Sequence, residues 1–107
     1  MQHVDLEHKI GSILYECGPG GAQKIIVRAE VFPEDDGGKY EFDYLDENGD
    51  QDWFDPDGRA VADLTDALIA YKKFFLENNL TNGKPVWSKC EITVDILEQI
   101  ISINLQY

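Results

Sequence analysis

From Lys39 to Phe54 eleven of sixteen positions carry a carboxylate or an aromatic ring, and from Tyr40 to Tyr44 the two alternate, with Tyr40, Phe42 and Tyr44 set against Glu41 and Asp43. A helix would scatter these side chains around its circumference. Only an extended strand, whose successive side chains point to opposite faces, sorts them into an apolar face and a charged one. Asn48-Gly49 follows, the dipeptide best suited to the positive φ angles of a tight hairpin turn. It predicts a short third strand around Gln51–Phe54. Trp53 and Phe54 are adjacent there, so one ring points away from the core.

The elements around this hairpin follow from their own periodicities. Val4, Leu6, Ile10, Ile13 and Leu14 lie on one face of a helix over residues 3–16. Cys17-Gly18-Pro19-Gly20-Gly21 stops it, with Gly18 expected in the left-handed cap conformation. A first strand then alternates Ile25, Val27, Ala29 and Val31 with Lys24, Arg28 and Glu30. Asp55-Pro56 reads as an N-cap followed by proline at the first helical position. The helix it opens repeats Val61, Leu64, Leu68, Tyr71 and Phe75, with Lys72 and Lys73 favourable to its dipole. Asn78, Asn79 and then Asn82-Gly83 end that helix. The tail predicts a second hairpin, Ser88–Ile96 with Ile100–Gln106. The order is α-β-β-β-α-β-β in one domain spanning residues 1–107. The expected class is α+β, an antiparallel sheet of about five strands with two helices on one face.

Charge is distributed very unevenly. The 24 residues from Glu34 to Asp57 hold eleven of the 21 acids and one cation, Lys39, and so carry −10 of the net −12. The remaining 83 residues set ten acids against eight bases. Like charges held together repel one another, and the field they create steers a partner of opposite sign. Nucleic acid and anionic membranes are disfavoured as partners. The start, MQHVDLEHKIGS, has no secretory pattern, and no apolar run approaches the ~20 residues of a membrane span. The expectation is a cytoplasmic protein.

Side chains that would carry chemistry are poorly placed for it. His3 and His8 are five apart, a spacing that does not put two ligands on one helix face. Cys17 and Cys90 form no CxxC pair and read as small buried hydrophobes. GPGGAQK lacks the spacing of a phosphate loop and runs into a strand. Asp46, Asn48, Asp50, Asp52 and Asp57 place oxygens in the manner of a calcium loop, which makes a cation-binding module the alternative reading. Gln51, however, stands where such a loop requires glycine, and aspartate replaces its bidentate glutamate. The acidic window contains no histidine, serine or cysteine to form a catalytic pair. The expectation is a non-enzyme without cofactor or metal.

The run IIVRAEVF, then KYEFDYLDENGD, a helix ending in KKFFLENN, Trp87 within WSKCEITVD, and a final strand together resemble the YezG-like immunity protein family of bacterial polymorphic and contact-dependent toxin systems. The similarity runs from about residue 10 onward and lies in element order and strand pattern. It implies a small acidic antitoxin that neutralises a cognate toxin domain, commonly a nuclease, and it implies no catalytic residues. A nuclease has a basic cleft for phosphates. Asp43, Asp46, Glu47, Asp50, Asp52, Asp55 and Asp57 on the hairpin are the candidate groups for that cleft, with Trp53 as the aromatic anchor.

Overall fold

The computed structural model describes residues 3–81 and 85–106. The His3 and Val4 side chains and the Asn82-Gly83 stop, named above, fall outside the described residues. The elements are α1 (His3–Cys17), β1 (Lys24–Val31), β2 (Gly38–Leu45), β3 (Gln51–Trp53), α2 (Gly58–Glu77), β4 (Lys89–Asp95) and β5 (Ile100–Gln106), in the predicted α-β-β-β-α-β-β order. The strands form one antiparallel sheet, ordered β3-β2-β1-β4-β5. β1 is therefore central, and α2 carries the chain from one edge of the sheet to the other half. Among the described residues no helix is long and apolar enough to cross a membrane.

Alternation decides which face is covered. Ile25, Val27, Ala29 and Val31 of β1 and Cys90, Ile92 and Val94 of β4 are buried together with Leu6, Ile10 and Leu14 of α1 and Leu64, Ala67, Leu68 and Tyr71 of α2. Tyr40, Phe42 and Tyr44 pack against this cluster from β2, as predicted, and Phe54 joins them. Both helices pack on the face these residues share. Gly11 lies against Ile101, Gly18 against Ile25, and the Thr65 hydroxyl is hydrogen-bonded to Tyr40. Trp87 is fully buried among Tyr71 and Phe75, its indole N–H without a partner among the described residues. The Tyr71 hydroxyl donates to Glu7 (2.8 Å) and ties the two helices together.

Three local expectations are corrected. α2 is capped by Asp57, whose carboxylate accepts from Ala60 N at 2.8 Å, and Asp55-Pro56 forms the connection before it. Pro56 holds Asp55 out of the helical region, and the chain needs an extended step there to climb from the sheet to the helix layer. Gly18 does not adopt a left-handed angle; its N–H continues the helix by donating to Leu14 O, and Gly21 (φ 82°) makes the reversal. Lys72 does not serve the dipole at the C-terminus of α2. It is buried and donates to Asp35 Oδ1 at 2.9 Å across the core.

Candidate interaction surface

From Lys39 to Asp57 the acidic stretch folds as the predicted hairpin and its exit, at the β3 edge of the sheet, while Glu34, Asp35 and Asp36 lie in the β1–β2 connection at the other end of β2. Gly49 takes φ 79° in the turn, and its N–H donates to Asp46 O. The Asp46 side chain builds the turn as well: Oδ1 accepts from the N–H groups of Asn48 (2.8 Å) and Asp50 (3.0 Å). An aspartate that closes a turn over its own backbone stabilises the loop and has correspondingly less capacity to accept from a partner.

Register decides where the other acids go. Asp43 stands opposite Trp53 on β3, and both point to the sheet face that carries no helix. Arg28 of β1 reaches across to Asp43 (2.6 Å) and Glu41 (3.1 Å), and Gln51 donates to the same Asp43 oxygen. Asp43 is thus neutralised in place. Asp52 pairs with Tyr44 and lies on the helix side of the edge, accepting from Trp53 N at 2.8 Å. Asp57 is occupied as the cap of α2. Glu47, Asp50 and Asp55 are exposed, with side-chain carboxylates that make no hydrogen bond or ion pair among the described residues.

The eight predicted residues therefore cluster along one edge but do not form a single face. Asp43 is engaged by the Arg28 and Gln51 side chains, Asp46 and Asp57 hold the backbone in shape, Asp52 turns toward the helix layer, and Glu47, Asp50 and Asp55 project into solvent. Trp53 is 71% exposed beside them, on the open sheet face. Of the two adjacent rings, Phe54 is the one turned inward. The contribution of Arg28 was hidden in the sequence, because its partners depend on the β1–β2 register. Lys72 carried a signal: it lies four residues after Leu68, on the apolar stripe of α2, where a charge requires a buried partner.

Among the described residues, no three or more histidine, cysteine, aspartate or glutamate side chains converge as metal ligands. His8 is exposed on α1. Both cysteines are free. Burial pushes the Cys90 thiol up to about 12, and burial likewise raises Cys17. A groove of about 280 Å³ lies at the far edge of the sheet between α1 and β5, away from the acidic hairpin. In comparisons with known proteins, no family model and no curated protein matches this chain.

Proposed function

We propose that this protein is a cytoplasmic immunity protein, an antitoxin whose β2–β3 edge docks onto a basic toxin domain, in the first instance a nuclease. The observation that carries the reading is an exposed tryptophan next to solvent-facing carboxylates on a pre-formed hairpin. Glu47, Asp50 and Asp55 supply the long-range attraction. Electrostatic steering of this kind raises association rates toward ~10⁸ M⁻¹s⁻¹ at low salt. Trp53 supplies the desolvated contact that slows dissociation. Asp43, Asp46 and Asp57 act indirectly by fixing the edge. The resemblance to YezG-like immunity proteins supports the same reading, as does the run from Asp46 to Asp57, which holds six acids and no base.

The test is stopped-flow association with the cationic C-terminal domain of a secreted toxin encoded beside this chain. Glu47→Gln, Asp50→Asn and Asp55→Asn together should slow association about tenfold or more at low salt and flatten its salt dependence. Trp53→Ala should raise the dissociation rate about 30-fold. Circular dichroism of both variants should match the parent, because none of the four residues packs in the core. Unchanged kinetics in the triple variant would show that the hairpin is not the interface.

A further inference from the structure

The opposite edge of the sheet is built quite differently. β5, Ile-Ile-Ser-Ile-Asn-Leu-Gln from Ile100 to Gln106, contains no charge and no proline, the two devices by which edge strands ordinarily avoid pairing. Among the described residues, no strand pairs with its outer side. The core is also unfinished here. Cys90, Ile92 and Val94 of β4 are buried, whereas Ile101, Ile103 and Leu105, their neighbours on the same face, remain only half-buried. Tyr15 (48% exposed), Leu97 (74%) and Ile100 (54%) extend the apolar surface at this edge, and the groove between α1 and β5 lies among them.

The backbone pattern tells which groups are left open. Val31 N donates to Ser88 O, and Ile96 N donates to Gln23 O. Bonded pairs alternate in an antiparallel ladder, so Cys90, Ile92 and Val94 turn their N–H and C=O groups toward β1. Glu91, Thr93 and Asp95 turn theirs toward Asn104, Ser102 and Ile100 of β5. The N–H and C=O groups of Ile101, Ile103 and Leu105 consequently point outward, unpaired by any strand.

We infer that β5 pairs with β5 of a second copy, antiparallel about a two-fold axis at Ile103, joining the two sheets into one. The strand is complementary to itself in this register. Ile103 meets Ile103 of the second copy and Ile101 meets Leu105, so every outward N–H and C=O finds a partner and the half-buried apolar side chains meet each other. On the other face, Ser102 meets Asn104, a hydrogen-bonding pair. The axis is perpendicular to the sheet, so the helices of both copies lie on one side, and the flank of α1 bearing Tyr15 faces its counterpart.

Charge also selects a second copy at this edge. Each chain carries −12, yet the acidic hairpin is at the far side of the sheet. Joining at β5 leaves the two hairpins about 40 Å apart at ~4.8 Å per strand, several times the ~8–10 Å screening length of physiological salt. Joining at β3 would place them in contact. This inference is independent of the antitoxin reading, and the dimer leaves both acidic edges free.

Sedimentation equilibrium over micromolar to millimolar protein should show the mass rising from 12.2 kDa toward twice that value. Raising the salt should strengthen this association, whereas it weakens binding to a basic partner. Ser102→Lys with Asn104→Lys sets like charges opposite one another across the axis, and should weaken the dimer about tenfold. Ser102→Glu with Asn104→Lys creates opposite-charge pairs at the same positions and should retain it. Both positions are exposed, so circular dichroism should show the parent fold in each variant. A wild-type chain that stays monomeric throughout overturns the proposal. So does a dimer that both variants leave unchanged or weaken equally.

Discussion

Lys72 is the residue whose environment departs furthest from what its type prefers. Its side chain is 8% exposed and its one ion-pair partner among the described residues is Asp35, 30% exposed, in the β1–β2 connection. A buried cation is tolerable only while its counter-charge stays in place. Asp35 also sits at φ 58°, a left-handed angle that asparagine accepts as readily as aspartate. Asp35→Asn therefore isolates the charge from the backbone. It should lower stability by about 1–3 kcal/mol in urea unfolding, while Lys72→Met, which removes the need for a counter-charge, should cost less. Cys90 offers a second measurement at this scale. Burial raises its thiol from 9.0 to about 12, so the folded state retains a proton that the unfolded chain loses first. The stability contribution of that thiol is intact below pH 9.0 and declines as pH rises from there toward about 12. In native protein at neutral pH, Cys90 should resist disulfide-exchange reagents until urea unfolds the chain, as followed by thiol titration.

At the scale of elements, every helix and strand was legible in the sequence, β3 from the Asn48-Gly49 turn and the others because periods of two and of 3.6 residues are local properties. Element ends were less so. Asp55 and Asp57 are both competent caps, and the choice between them depended on how far the chain had to travel from β3 to the helix layer. The sequence suggests Gly18 as a cap because glycine commonly fills that position. Its actual role is close approach: a Cβ there would lie 2.7 Å from Ile25 Cδ1, at a core residue with no exposure. Gly18→Ala should accordingly lower stability by about 1–3 kcal/mol through overpacking, as measured by urea midpoint, with the helix content by circular dichroism unchanged. The calcium-like pattern has the same dependence: alternating oxygens along a sequence specify a cation site only if the backbone brings them together, and among the described residues no three histidine, cysteine, aspartate or glutamate side chains converge.

At the scale of the whole molecule, net charge works against compactness, and screening should relieve it. Moderate sodium chloride should raise the urea midpoint of the wild-type chain, since −12 charges are held within a radius of gyration of 13.7 Å. The charge is not spread evenly over that volume. The open face of the sheet mixes Lys24, Arg28, Lys39 and Lys89 with Glu30, Glu41, Asp43, Glu91 and Asp95, and is close to balanced. The densest run of acid is at the hairpin tip and its exit, where Asp46, Glu47, Asp50, Asp52, Asp55 and Asp57 have no base among them in the sequence. The candidate site was thus legible as a stretch of chain and not as a surface. Which acids stay free, and which are held by Arg28, the turn or the helix cap, depended on register.

The sequence by itself determined the kind and order of elements, the side chains each turns inward, and the concentration of acid in one hairpin. These follow from side-chain period, turn chemistry and composition, all of which act over a few residues. Only the tertiary structure decided that β1 lies at the centre, with β2 on one side and β4 on the other. Both neighbours present β1 with the same apolar alternation, so no local pattern distinguishes them; the path of α2 over the sheet does. That lateral order sends the acidic hairpin to one edge and an uncharged strand to the other, and it gives the molecule two ends of opposite character.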